Sequence, residues 1–471
     1  MTMLMVQILP VWFAALLIGV PLFVSMGLAA IAFAFLGGFP LGIVPQKIAQ
    51  SANSFPLLAA PLFILMGNIM NSAGITDRIF AFATACVGWL RGGLCHANIL
   101  ASVIFAGMSG SAVADAGGVG TLEIKAMKDH GYPTEVAVGV TAASATLGPI
   151  IPPSLPFVIY GMMSNTSIGA LFLAGVVPGV MMTLFMMVTV AIFARIYKWG
   201  SDAAFSLREI GTAGIEVLVV LGFPILAYGL VWVGLEENLA IGLALAVLLG
   251  LDYYFDFSAV MALMTPVILI GGMTMGWFTP TEAAAAAVIW SLFLGLVRYR
   301  SMTLRSLTKA TFDTIETTAS VLFIVTAASI FAWLLTVSQT AQILSDLILG
   351  LTQNKWIFLV LVNLLLLFIG CFLDTIAAIT IVVPILLPIA LKLGVDPIHF
   401  GLIMVLNLMI GLLHPPLGMV LFVLSRVAKL SVERTTMAIL PWLIPLFAAL
   451  IAITFIPELT LWLPRQMGMV R

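Results

Sequence analysis

The sequence predicts an all-α polytopic membrane protein built from two inverted repeats, each with a re-entrant hairpin and broken helices. Three observations lead there. Charged residues make up only 8% of the 471-residue chain against 62% hydrophobic ones, far below the quarter that soluble domains carry, and the mean hydropathy is +1.21. Long apolar runs recur at 8–35, 169–193, 214–233, 356–369 and 437–456, each near the ~20 residues that cross ~30 Å of hydrocarbon as a helix. The third observation is a self-match at one fixed spacing. A membrane β-barrel would instead alternate polar and apolar residues along every strand.

Taken in order, Met1–Pro10 has no basic region, and the apolar run behind it is about twice the length of a signal-peptide core, so it reads as a retained first span. Next comes the self-match: Gly107, Gly131, Gly148 and Pro152-Pro153 recur as Gly370, Gly394, Gly411 and Pro415-Pro416. The spacing is 370 minus 107, or 263, and every other pair gives the same value. The match covers 48–165 and 311–428, and 168–297 between them has room for about five spans. An odd number of intervening spans inverts the second unit relative to the first.

The expected organisation is an N-terminal scaffold span and arm (1–47), a first transport unit (48–165), scaffold helices and an arm (166–310), a second transport unit (311–428) and a C-terminal span (429–471). Polar-tipped hairpins are expected at 48–90 and 311–350, each followed by two interrupted spans. TPTEAAAAA from Thr279 reads as a helix start, with Thr279 as cap, Pro280 in the first turn and Glu282 near the positive end of the dipole.

A net charge of −1 gives no case for nucleic acid. Basic residues gather at Arg195, Lys198 and Arg208, at Arg298, Arg300, Arg305 and Lys309, and at Arg426, Lys429 and Arg434. With the spans laid out as above, this side holds thirteen of the 19 basic residues, which marks it, and the N-terminus with it, as cytoplasmic. Cys86, Cys95 and Cys371 lack metal-ligand spacing and read as small buried hydrophobes.

Inverted repeats with broken helices are the mark of many secondary transporters, whose sites lie near the midplane. Pro152-Pro153 and Pro415-Pro416 lack N–H groups and block the carbonyls one turn earlier, leaving backbone oxygens that a sodium ion can collect. An isolated proline kink repaired by neighbouring helices is the alternative. MSGSAVAD, 108–115, sets Ser109, Ser111 and Asp115 in an apolar neighbourhood, and the 263-residue spacing places Ser111 opposite Asp374 of CFLDT. An ionisable group within a span is a candidate functional group, since lipid would not tolerate it; for Asp115 a helix-end cap is the other reading.

Asn53-Ser54 and Thr317-Thr318, as hairpin tips, would offer amide and hydroxyl groups to a polar solute. His414, ahead of the second Pro-Pro, reads either as an ion- or proton-binding group or as a packing residue. Asn363 and Asn407 are either interhelix glue or site lining. No catalytic constellation and no continuous polar pore is visible, so an enzyme or channel ranks below a carrier.

GMSGSAVAD from Gly107, GYP from Gly131, LGPIIPPSLP from Leu147, GWFTPTEAAAAA from Gly276, FLD from Phe372, DPIHFG from Asp396 and PPLG from Pro415 closely resemble the large membrane subunit (DctM type) of tripartite ATP-independent periplasmic (TRAP) transporters, in the same order over nearly the whole chain. The resemblance implies a sodium-coupled importer in the bacterial inner membrane, lodged in the lipid bilayer and moving a small organic anion by an elevator motion. The anion would be a C4-dicarboxylate or a sugar acid such as sialic acid, delivered by a periplasmic binding protein. A small four-span membrane subunit is the implied partner.

The resemblance assigns sodium to Ser109 and Ser111 with Gly148, Pro152 and Pro153 in one half. In the other half it assigns sodium to Asp374 and Thr375 with Gly411, His414 and Pro415. It assigns the substrate carboxylate to the tips Asn53, Ser54, Thr317 and Thr318 together with Ser154. Two departures stand out. The family favours a small hydroxylated residue where this chain has His414, which leaves room for proton coupling, and the stretch 200–257 is longer than usual.

Overall fold

The computed structural model describes residues 2–53, 55–255, 260–274, 277–415 and 418–470, so Ser54 and Pro416 lie outside the described residues. Among the described residues all regular structure is helical, with one isolated bridge between Arg91 and Ser201. The apolar run 8–35 is not one span. Gly19 and Pro21 interrupt it, giving α1 (Thr2–Leu17) and α2 (Leu22–Leu36). Then come α3 (Ile43–Ala52), a 3-10 turn at Phe55–Leu58, α4 (Ala59–Ser72) and α5 (Ile75–Val87), the last two bent by 74°.

The first re-entrant hairpin follows. α6 (Gly93–Ser109) reverses at Gly110, and α7 (Ala112–Gly117) with α8 (Val119–Asp129) returns beside it. One carboxylate holds both ends at the same face: Leu94 N and Tyr132 Oη donate to Asp202 Oδ2 at 2.8 and 2.6 Å. A broken span comes next, α9 (Thr134–Ala145), an irregular stretch at 146–154 and α10 (Leu155–Ser164). The 29-residue α11 (Ile168–Ile196) starts at Ser167, whose hydroxyl accepts from Ala170 N at 3.3 Å.

Five helical segments stand where five spans are expected between the repeats, three of them long and apolar enough to cross a membrane and two shorter. After α11 come α12 (Leu207–Trp232) and α13 (Glu237–Phe255), then α14 (Val260–Pro266), which runs through a π turn at Val267–Gly271 into α15 (Gly272–Thr274), and α16 (Pro280–Phe293). The predicted start of α16 is a full capping box, with Thr279 N donating to Glu282 Oε2 at 2.8 Å and Glu282 N to Thr279 Oγ1 at 3.4 Å. The second half holds the 34-residue α17 (Leu304–Val337), α18 (Thr340–Leu351), α19 (Lys355–Gly370), α20 (Thr375–Lys392), α21 (Pro397–Gly411), α22 (Met419–Ala428), α23 (Val432–Phe455) and α24 (Glu458–Gln466).

Adding 263 to the first residues of α6, α9, α10 and α11 lands within one residue of the starts of α19, α21, α22 and α23. The second hairpin is therefore α19–α20, and the second broken span is α21–α22. The hairpins expected at 48–90 and 311–350 are corrected by this arrangement. Thr317 and Thr318 sit inside the uninterrupted α17, whose turn comes only at Ser338–Gln339. The reason is local: the first repeat breaks at Phe55–Leu58, which carries Pro56, while 316–321 of the second repeat has no proline or glycine to stop the helix.

The hairpins enter from opposite faces. The C-terminal end of α11 leads to the base of the first, where Gly92 N donates to Gly200 O at 2.9 Å. The N-terminal end of α11 lies beside Met469, past α24, and Pro457, Leu461 and Arg465 line a cavity with Lys355 and Asp396 at the base of the second. At 1.5 Å per residue, the 29 residues of α11 give an axial length of about 43 Å between these two ends.

Candidate ion and substrate site

Both hairpin tips end in a helix cap, and the two caps are Ser111 and Asp374. Ser111 Oγ accepts from Ala114 N at 3.4 Å to start α7, and Asp374 Oδ2 accepts from Ile376 N at 3.1 Å to start α20. Each polar side chain thus serves the first turn of the returning helix. The caps also face each other across the molecule: Gly110, Ser111, Pro149, Asp374, Thr375 and Met409 line one cavity of about 50 Å³. Thr375 is buried, and its Oγ1 has no hydrogen-bond partner.

Each tip is seated against the break of its own repeat. At Gly110, φ is +62°, and a Cβ there would lie 2.6 Å from Pro153 O, so a bare backbone is required on both counts. In the second half the backbones of Gly370 and Gly411 touch, since a Cβ on Gly411 would lie 2.7 Å from Gly370 Cα. A glycine at each contact therefore lets tip and break meet without side chains between them, Gly110 in the first half and the Gly370–Gly411 pair in the second.

Around this contact lies a second polar group. Ser109 Oγ donates to Asp115 Oδ1, and the fully buried Asp115 Oδ2 faces Gly148 without a hydrogen-bond partner. Asp115 is not the helix cap considered for it, because Ser111 holds that role. Oxygen is the donor throughout: hydroxyls of Ser109, Ser111 and Thr375, carboxylates of Asp115 and Asp374, and carbonyls of the proline-rich break. Hard cations such as sodium take that donor set, and the unpartnered Thr375 Oγ1 and Asp115 Oδ2 leave ligand positions open.

Other expected site residues are placed elsewhere. Ser154 is fully buried and caps α10, giving its proton to Pro149 O at 2.5 Å and accepting from Phe157 N at 3.2 Å, so its hydroxyl fixes the break rather than facing a solute. His414 Nδ1 donates to Pro415 O at 2.7 Å and lies 3.4 Å from Cys371 Sγ. It joins the second break to the second tip, and as a nitrogen donor turned to a carbonyl it stands apart from the oxygen set. Asn53 ends α3, Thr317 Oγ1 donates to Asp313 O at 2.9 Å within α17, and Thr318 is half-buried on the same helix.

Asn407 belongs to a chain between three helices: its Nδ2 donates to Asn363 Oδ1 at 2.8 Å, and Asn363 Nδ2 donates to Thr454 Oγ1 at 2.9 Å. Its counterpart at the 263-residue spacing, Ser144, donates to Asn98 Oδ1 at 2.8 Å, and Asn98 Nδ2 donates to Thr141 Oγ1 at 2.7 Å. Interhelix bonding is thus a role at both places, and the buried Asn407 Oδ1 is left without a hydrogen-bond partner. Asn407→Ala is expected to lower stability by about 1 kcal/mol, the usual scale for such bonds, and to leave the sodium half-saturation of uptake within twofold. A thermal melt and a sodium titration check the two halves of this.

Pro149 of the cavity lies within LGPIIPPSLP, whereas Met409, two residues before the matched Gly411, carries no signal of its own.

The sequence model of the family described as "Tripartite ATP-independent periplasmic transporter, DctM component" matches residues 9–459. The sialic acid TRAP transporter large permease protein SiaM of Vibrio cholerae is 41% identical, with 96% of each chain covered. The C4-dicarboxylate TRAP transporter large permease protein DctM of Pseudomonas aeruginosa is 38% identical over 90% of this chain and 89% of its own. The sialic acid TRAP transporter permease protein SiaT of Haemophilus influenzae is 37% identical over 96% of this chain but 67% of its own. Among solved structures, the YdaH transporter of Alcanivorax borkumensis shares the fold, with a TM-score of 0.57 at 15% identity over 91% of this chain and 89% of that one.

Proposed function

The chain belongs to the DctM component family of tripartite ATP-independent periplasmic transporters, and from that premise we propose that it imports a small organic anion on an inward sodium gradient. It is a multi-pass permease subunit of the inner membrane and not an enzyme. The substrate class is a C4-dicarboxylate or a sugar acid, as the names of the relatives suggest. A periplasmic binding protein delivers it. The third of SiaT that lies outside the match supports a second, small membrane subunit as partner.

The carrying observation is the meeting of Ser111 and Asp374, counterparts from the two halves, in one cavity beside the unpartnered Thr375 hydroxyl. Sodium would be held by Ser109, Ser111 and Asp115 near the first break, and by Asp374 and Thr375 with the carbonyls near the second. It would supply positive charge to a cavity with no lysine or arginine among the described residues that line it, and so favour a bound carboxylate. The residues themselves orient that charge: Gly110 and Gly411 let each tip close on its break, and Ser154 locks the first break in place.

The moving unit comprises 93–203 and 355–470, and the frame 2–91 and 204–351. Packing supports this split. α17 lies on α2, α3 and α4, α16 lies on α4, and α12 lies on α5, α13 and α14, while α9–α11 and α21–α24 pack largely among themselves; across the boundary α6 lies against α5 and α20 against α17 and α18, which would be the sliding contacts. Compared with the division read from the sequence, α11 and α23–α24 join the moving unit, and 48–91 and 311–351 pass from it to the frame.

Uptake into proteoliposomes holding this chain, the small subunit and the binding protein tests the reading. An imposed sodium gradient is expected to drive accumulation, and Ser111→Ala to raise the sodium half-saturation about tenfold, the equivalent of one lost ligand at about 1.4 kcal/mol. Uptake that ignores sodium and follows only a pH gradient would replace sodium by protons as the driving ion.

A further inference from the structure

The bases of the two hairpins differ in a way that their shared fold does not require. Under α6–α8 the chain supplies its own carboxylate, Asp202, to Leu94 N and Tyr132 Oη. Adding 263 to 202 gives Arg465, so the corresponding place under α19–α20 carries a guanidinium. Beside it lies an open cavity of about 190 Å³, lined by Lys355, Asp396, His399 and Arg465, far roomier than the ~15 Å³ that one water needs.

The donors and acceptors of this cavity can be assigned. Thr460 gives its hydroxyl proton to Pro457 O at 2.8 Å and lies 2.9 Å from His399 Nδ1, so Nδ1 carries a proton and donates to it. Nε2 therefore presents a lone pair, and this atom is buried without a partner on a side chain only 3% exposed. Asp396 Oδ1 is taken by Ile398 N at 2.8 Å and His399 N at 3.3 Å as the cap of α21. At the rim, Lys355 Nζ lies 4.7 Å from the Trp356 ring centre and Arg465 meets Glu458 at 2.7 Å, both on exposed surface. Exposed pairs of this kind contribute little and exchange readily.

We propose that this cavity binds a small hydroxy-carboxylate, with the acid group between Lys355 and Arg465 and a hydroxyl donating to His399 Nε2. The first half fills the equivalent place with its own Asp202 carboxylate; the second half takes one from outside. A phosphate bearing a glycerol hydroxyl, as in phosphatidylglycerol, has the same chemistry, so the free anion and the lipid headgroup are the two sources. DPIHFG thereby gains a role: Asp396 starts α21 and sets the His399 ring, whose far nitrogen meets the ligand.

The test uses the purified full chain in detergent, titrated with L-malate and read by thermal shift, with retained phosphatidylglycerol measured by native mass spectrometry. Asp374→Ala serves as the background, so that the central cavity does not contribute. Adding Lys355→Ala and Arg465→Ala, both exposed and harmless to the core, is expected to raise the malate concentration for half-effect at least tenfold. If lipid is the source, the same pair lowers retained phosphatidylglycerol by a similar factor. The proposal is overturned if neither response changes with this pair, or if malate stabilises wild type and Asp374→Ala alone abolishes the effect.

Discussion

Asp374→Ala is expected to bring sodium-driven uptake to background, a loss of about 100-fold or more, while the protein still reaches the membrane and assembles with its small subunit. Asp374 has two jobs on one side chain. Its Oδ2 caps α20 through Ile376 N, worth about 1 kcal/mol, and its carboxylate brings a negative charge to the cavity shared with Ser111 and Thr375. Loss of a charge-assisted contact of about 1.5–3 kcal/mol corresponds to roughly 10- to 100-fold in ion affinity, before the loss of coupling.

Asp374→Asn separates the jobs, because asparagine caps a helix as well as aspartate does. It is expected to keep the thermal stability of the wild type and still lose uptake, with a raised sodium half-saturation. Full uptake by Asp374→Asn would reduce Asp374 to a structural cap and remove it from the ion site.

Gly110→Ala is the second large effect expected. The residue has φ of +62°, which costs a non-glycine residue about 1–2 kcal/mol, and the added methyl would stand 2.6 Å from Pro153 O. That oxygen is backbone, so it cannot rotate away, and overpacking of this kind costs a further ~1–3 kcal/mol. The tip must then lift from the break, which separates Ser111 from Pro149. Uptake is expected to fall at least about tenfold, with a lower melting temperature and a weaker sodium response. Gly394→Ala is the control: φ is +74°, but no atom lies within 4 Å of the added methyl, so only the conformational cost remains. Equal losses from the two substitutions, read by parallel uptake and thermal melts, would show that tip-to-break contact does not matter.

Much of the fold is legible in the residues. The 263-residue spacing carries the starts of α6, α9, α10 and α11 onto those of α19, α21, α22 and α23 to within one residue, because matched glycines and paired prolines interrupt both repeats at the same places, although single prolines such as Pro178 and Pro384 sit inside unbroken helices. Thr279, Pro280 and Glu282 likewise form their capping box from local bonds alone. The hairpins were the part misplaced. Asn53-Ser54 and Thr317-Thr318 are polar breaks in apolar sequence, but nothing local distinguishes a re-entrant turn from a polar patch on a long helix such as α17. Asp202, over a hundred residues from Leu94, is what shows that α6 and α8 share one face.

The sequence by itself determined that the chain is helical, membrane-embedded and duplicated, and that Ser111 and Asp374 are counterparts, since hydropathy and backbone-limiting residues act over a few turns of helix. Only the tertiary structure decided that these counterparts face one cavity, that Asn407 ties helices together and Ser154 locks a break, and that the hairpin tips are the serine and aspartate motifs. Those facts depend on which groups satisfy one another's hydrogen bonds across the low-dielectric interior, and partners hundreds of residues apart leave no mark in local composition.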